Sequence, residues 1–228
     1  SYSKDYMVEH GLKPSKWVNI QNGVVEEEWD NPEDIPVSHE TFFEKHRDQF
    51  IVGYFGGHAL SNNLDNILEV AKTIRDERDI VFVLVGDGVE KPRLIKRTEE
   101  EKINNVFFLQ SINKRSIPKL VNYFDVSIMT GKPSPLYKYG LCMNKMYDSM
   151  MAGKPIICAI SAPRCIVEDY SCGFQVDSDD TKGIVESIKM IKDMPNDERN
   201  KMGENGRIAV KEHYTYRNLA KQFLEHIS

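Results

Sequence analysis

From residue 51 onward, short runs of apolar residues alternate with longer stretches in which apolar residues recur every third or fourth position. Residues 51–55, 80–85, 106–109, 126–129, 155–160 and 173–176 form the runs. Being apolar on both faces, they predict strands of a parallel sheet covered on both sides. Between the first two, Leu64, Ile67, Leu68, Ala71 and Ile74 make one apolar stripe at helical spacing. Residues 90–102 read as a charged helix. Ile117, Leu120, Val121 and Phe124 form the inward face of another, capped by Ser116 and with Pro118 in its first turn. Residues 144–152 predict a further helix, and three more close the chain at 181–192, 197–213 and 216–227. The alternation predicts a doubly wound, Rossmann-like α/β domain.

The first fifty residues lack this rhythm. Residues 17–20 suggest a short strand, and Gln21-Asn22-Gly23 is a turn signal because Asn and Gly tolerate positive φ. Residues 26–40 are acidic, contain Pro32 and Pro36, and read as a surface excursion; residues 41–49 resemble a short polar helix. The expected organisation is a junction segment over 1–50, the sheet domain over 51–195, and helices over 196–228 packed on it.

Composition narrows the function. The 228 residues suit one large domain or one domain with an extension. Lys plus Arg number 30 against 35 Asp plus Glu, a formal charge of −5, which argues against a basic nucleic-acid surface. No apolar run approaches membrane-spanning length, and no start segment has the order of a signal peptide. Cys142, Cys158, Cys165 and Cys172 form no C-x-x-C pair and have no His at ligand spacing. Reduced thiols in a cytoplasmic protein are therefore expected, not a zinc site. The chain starts with Ser and is expected to be a piece of something longer.

In such a sheet, ligands bind beyond the carboxyl ends of the strands, where helix N-termini offer free N–H groups. Three loops lie there. Gly56-Gly57-His58-Ala59-Leu60-Ser61-Asn62-Asn63 lets backbone approach an anion, although it matches no nucleotide fingerprint and also reads as a tight turn. Gly86-Asp87-Gly88 reads as a strand-to-helix turn capped by Asp87. Thr130 to Gly140 is long for a strand-to-helix connection, and carries Lys132, Tyr137, Lys138 and Tyr139 into the helix begun by Asn144-Lys145. Lys145 opposes the macrodipole at that helix start, which points to an anionic partner if it is not a surface lysine. Met150 and Met151 read as core, and the histidines other than His58 as solvated.

The series Val85-Gly86-Asp87-Gly88, Val106-Phe107-Phe108-Leu109, Ile117-Pro118 and Phe124-Asp125-Val126 is similar to the C-terminal half of family 4 glycosyltransferases. Asn144-Lys145-Met146-Tyr147-Asp148-Ser149-Met150-Met151-Ala152-Gly153-Lys154-Pro155 resembles the stretch written "EAMA-x-G-x-P" in that family. Asn19-Ile20-Gln21-Asn22-Gly23-Val24 resembles its junction element. Met202-Gly203, Gly206-Arg207 and Tyr214 to Leu219 resemble its closing helices. The resemblance implies one half of a GT-B architecture, the half that holds a nucleotide-sugar donor, with no cofactor and no metal.

Carried onto this chain, the resemblance implies a base around Gln110-Ser111-Ile112 and a ribose at Asp148. The diphosphate would meet Gly56, Gly57, His58, Asn144 and Lys145. The family's Glu-x7-Glu pair falls on Gly140 and Asp148, so the first acid is missing and the second shortened. The Arg and Lys that often hold the diphosphate in the first loop are absent, with His58, Ser61, Asn62 and Asn63 in that region. The implied partner is a nucleoside-diphosphate sugar, UDP by expectation. The acceptor glycan or lipid-linked sugar would be held by the missing N-terminal half, at the inner face of the membrane. The Gly and Asn-Lys variant resembles the branch forming N-acetylfucosamine-type or related linkages in bacterial surface polysaccharide. Two alternatives remain: a nucleotide-sugar 2-epimerase half, which the missing acid disfavours, and a non-catalytic sugar-nucleotide binding domain.

Overall fold

A computed structural model describes residues 3–227. In chain order the strands are β1 Phe50–Phe55, β2 Ile80–Val85, β3 Val106–Leu109, β4 Val126–Thr130, β5 Ile156–Ala159 and β6 Gly173–Val176. The helices are α1 Ser3–Glu9, α2 Glu26–Asp30, α3 Val37–Lys45, α4 Leu64–Thr73, α5 Lys91–Glu100, α6 Ile117–Asn122, α7 Asn144–Met151, α8 Ile166–Asp169, α9 Thr181–Asp193, α10 Asn196–His213 and α11 Tyr216–Ile227. All six strands run parallel in the order β3-β2-β1-β4-β5-β6. Chain order reverses between β1 and β4, which is where a doubly wound sheet opens its ligand crevice.

The strands form because their apolar residues can be buried on both faces. Val52, Tyr54, Phe82 and Leu84 face α4 and α9, while Ile51, Val81, Val83 and Val85 face Leu120, Val121 and Phe124. β1 pairs with β2 over six residues but with β4 over only two, Val52↔Val126 and Gly53↔Ser127. The amino end of that seam is clamped by Asp125, whose Oδ2 accepts from Ile51 N–H (2.8 Å) and whose N–H donates to the Ile51 carbonyl (2.9 Å). At the carboxyl end Thr130 Oγ1 donates to the Asn62 carbonyl (2.5 Å), and Lys132 N–H to the Ser61 carbonyl (3.0 Å). Among the described residues no helix is long and apolar enough to cross a membrane.

The first fifty residues differ most from their sequence reading. Residues 17–20 form no strand, and the pairing in this region is a single bridge between Val24 and Thr215. Residues 26–40 run along the surface as expected, but as α2 and the start of α3, with Ile35 and His39 buried. That helix begins directly after Pro36 and ends at Lys45. The physical reason is burial, because His39 and Phe43, four positions apart on α3, both leave solvent, with Phe43 stacked on Tyr123 at 4.5 Å. His39 and His46 are accordingly buried, not solvated. Ser116 does not cap α6; its hydroxyl donates to the Asp34 carbonyl (2.9 Å), pinning the α2–α3 connection to the sheet domain.

Candidate functional site

The loops after β1, β2 and β3 meet at the carboxyl edge of the sheet around a cleft of about 270 Å³. Gly56, Gly57, Gly86, Asp87, Ser111 and Ile112 line it. Gly86 makes the meeting possible: it sits at φ +151°, and a Cβ there would lie 1.9 Å from the Gly56 carbonyl oxygen. The β2 loop is further sewn to the β1 loop by His58 N–H, which donates to the Asp87 carbonyl (2.8 Å). Asp87 Oδ1 accepts from Gly88 N–H (2.8 Å) within the turn, and α5, which starts at Lys91, has no side-chain cap, so Asp87 is not the cap expected of it.

Lys145 carries α7 into this site. Its Nζ donates to the Tyr54 hydroxyl (3.0 Å) and lies 4.5 Å above that ring. The Tyr54 hydroxyl in turn donates to the Gly57 carbonyl (2.7 Å), which also accepts from Asn62 Nδ2 (2.6 Å). A Cβ built on Gly56 would stand 3.3 Å from the ammonium. Among the described residues no carboxylate pairs with Lys145, and burial pulls its pKa down to about 8. A half-buried, uncompensated cation thus sits beside a Gly-Gly turn and a helix N-terminus, in the place where the first loop itself supplies no Arg or Lys.

Asn144, the first residue of α7, accepts from Asn22 Nδ2 through Oδ1 (2.8 Å), which brings the Asn22-Gly23 turn against the helix start. Asp148 lies one turn further. It is 9 % exposed, and its carboxylate accepts no hydrogen bond among the described residues. Burial pushes its pKa up to about 6; Lys114 pulls the other way and Glu28 adds to the rise. Gln110 is exposed, and its carbonyl meets His39 Nε2 at 2.9 Å, which fixes the start of the Gln110-Ser111-Ile112 segment.

The structure therefore brings Gly56, Gly57 and Ser111 to one crevice, with the Lys145 ammonium held beside Gly56 by Tyr54. Gln110 stands at its rim, and Asn144 and Asp148 lie on the helix that delivers Lys145. His58 is behind the crevice wall, its ring 0 % exposed and its pKa held down to about 4 chiefly by burial. Gly140 belongs elsewhere, to a larger cleft of about 740 Å³ with Gln21, Tyr139, Asp169, Tyr170 and Tyr214. Its φ of +111° and the open space around it put no side chain there.

Sequence reasoning missed Tyr54 and Lys91. Tyr54 is hidden in an apolar run, and its phenol links Lys145 to Gly57. Lys91 reads as one charge in a charged helix, yet it is buried and donates to the carbonyls of Gly86 (2.7 Å) and Leu109 (2.8 Å). It thereby joins the second and third loops.

The family model described as "Glycosyl transferases group 1" matches residues 38–209. Over 82 residues, the chain is 29 % identical to the putative colanic acid biosynthesis glycosyl transferase WcaI of Escherichia coli (strain K12). That stretch is 36 % of this chain and 20 % of that protein. Among solved structures, Anabaena Alr3699/HepE in complex with UDP superposes with a TM-score of 0.78 at 17 % identity, over 99 % of this chain and 61 % of that one. A glycosyltransferase from Rickettsia africae ESF-5 gives 0.80 at 17 % identity, over 98 % and 60 %. The chain thus spans about three-fifths of the solved structures and a fifth of the curated relative.

Proposed function

The chain belongs to the group 1 glycosyl transferases, and on that premise we propose that it is the donor-binding part of a retaining enzyme using a UDP-sugar to build bacterial surface glycan. The observation that carries this reading is the Lys145 ammonium at the Gly56-Gly57 turn, held by the Tyr54 hydroxyl and facing no carboxylate among the described residues. Holding a cation out of water without a counter-charge is unfavourable, and an anion entering the crevice would offset that cost. A nucleoside diphosphate fits the rest of the layout. Its phosphates would meet Lys145, the turn N–H groups and the start of α7, its ribose Asp148, and its base the Gln110-Ser111-Ile112 segment.

The chemistry follows from charge. When the sugar–phosphate bond breaks, negative charge develops on the departing diphosphate. Fixed donors that already face that position stabilise it without reorganising. No side chain stands at Gly140, so the charge stabilisation contributed by this chain lies on the leaving-group side. The similarity to a colanic acid transferase supports the polysaccharide role, and the UDP and UDP-glucose complexes of the Anabaena protein support the choice of nucleotide.

Calorimetry with UDP, GDP and ADP tests the reading. UDP should bind the chain weakly and without turnover. Lys145→Met should weaken it by about 10- to 100-fold, the range for a hydrogen bond to a charged group. No heat with any of the three, or sugar transfer by this chain alone, would refute it.

A further inference from the structure

His39, buried near the start of α3, commits its imidazole to one distant peptide group. Nε2 lies 2.9 Å from the carbonyl oxygen of Gln110, 71 residues along the chain. A carbonyl can only accept, so Nε2 carries the proton. Nδ1 of the neutral ring is then the acceptor, and the Ser38 hydroxyl stands 3.3 Å from it, in position to donate.

That bond sets the direction of a peptide at the cleft. Residues 110–113 lie outside every helix and strand, so no ladder decides which way the Gln110–Ser111 peptide faces. The described residues contain no cis peptide bond, and in a trans peptide C=O and N–H point in opposite directions. With the Gln110 carbonyl drawn inward to His39, the Ser111 N–H faces the other way. Ser111 lines the cleft, and its N–H has no hydrogen-bond partner among the described residues. Neighbouring carbonyls are withdrawn in the same manner: Tyr54 and Asn62 donate to that of Gly57, and Lys91 to those of Gly86 and Leu109. At Gln110–Ser111 the wall thus offers a donor, with the matching acceptor turned away.

We propose that His39 determines which nucleobase the cleft accepts. By holding the Gln110 carbonyl it presents the Ser111 N–H to a base whose outer edge carries a carbonyl oxygen, as uracil does. A base with an amine there, as in cytosine, would set donor against donor and leave both unpaired. His39 touches no ligand; it is a positioning residue that acts through the peptide it orients. This rests on the donor-binding reading, and adds to it a residue of α3 and the chemical class of the base.

Calorimetry of the parent and two variants with UDP and CDP tests it, since the two nucleotides differ only along that edge of the base. The parent should bind UDP about tenfold more tightly than CDP, the effect of one hydrogen bond replaced by one mismatch. His39→Gln places an amide nitrogen where Nε2 stands and should keep the preference. His39→Asn is too short to reach the Gln110 carbonyl; the freed peptide can turn that carbonyl towards the cleft, and the two affinities should converge. A histidine that serves only the fold predicts that His39→Asn weakens UDP and CDP by the same factor. That result overturns the assignment, and so does a Gln variant that behaves as the Asn variant does. If His39→Asn does not fold, the parent and His39→Gln decide, a shared preference for UDP upholding the assignment and equal binding overturning it. If the parent binds UDP and CDP alike, the histidine's role falls while the donor reading stands. If the parent binds none of UDP, CDP, GDP and ADP, the donor reading itself falls and the histidine with it.

Discussion

Asp148→Asn separates a carboxylate kept for a ligand from one kept for the helix. The side chain is 9 % exposed with no hydrogen-bond partner among the described residues, and its pKa is raised from 3.8 to about 6, chiefly by burial. A raised carboxyl pKa means that the folded state penalises the charged form. The penalty is absent below 3.8, where both states are protonated. It builds as pH rises through the interval, and is complete above about 6. At about 1.36 kcal/mol per pKa unit its ceiling is about 3 kcal/mol. Asn keeps an unpaired polar group, so about 1–2 kcal/mol of that should be recovered. For a domain this size, that raises the melting temperature by about 2–8 °C at pH 7.5, with the gain shrinking towards pH 4. In calorimetry at pH 7.5 the same variant should bind UDP about 1.5–3 kcal/mol more weakly, since a charged acceptor for the ribose hydroxyls is gone. The 2′,3′-dideoxy analogue should bind parent and variant alike. An acid that serves only the dipole of α7, one turn in from its start, gives the opposite pair of results, a lower melting temperature and unchanged affinity. That outcome would refute the reasoning.

Three further outcomes are expected from the geometry. UDP affinity should be greatest between about pH 6 and 8, falling below as Asp148 takes up a proton and above as Lys145 loses one; calorimetry from pH 5 to 9 would show a flat profile if neither group touches ligand. Gly57→Val should fold, because a Cβ there meets only Asn62 Nδ2 at 3.8 Å. Its branched side chain would nevertheless fill the crevice mouth and abolish UDP binding, and retained binding would reduce the loop to a turn. Gly203→Ala should destabilise by about 1–3 kcal/mol in urea, because its Cβ would lie 1.9 Å from the Gly153 carbonyl, where α10 docks on the turn closing α7; unchanged stability would show that this contact can relax.

The six strands are legible in the sequence because a strand buried on both faces leaves an unbroken apolar run, and the observed ends differ by a residue or so. α3 is not legible in that way. Pro36 and the acidic stretch around it mask a helix whose burial depends on Tyr123, eighty residues away. The site divides along the same line. Gly56, Gly57 and Ser111 can be found from the loop at the carboxyl end of each strand, since the fold class dictates where those loops go. The link from Lys145 through Tyr54 to Gly57 joins positions 91 residues apart. No local spacing encodes it, and Tyr54 looks like any other core residue of β1. Lys91 is hidden for a related reason, since a lysine among charged neighbours gives no sign that it bends inward to two carbonyls.

The short seam between β1 and β4 bears on the thermodynamics of anything held above it. Asp125 clasps the seam at one end, and the contacts of Asn62 with Thr130 and of Ser61 with Lys132 clasp it at the other. The two halves of the sheet are thus kept at a set separation before any guest arrives. A guest in the cleft beside β1 then meets, on the α7 side, a wall whose distance was fixed during folding, and loses little affinity to ordering it. Loosening either clasp would leave the guest's own contacts unchanged while moving part of the entropy cost from folding to binding.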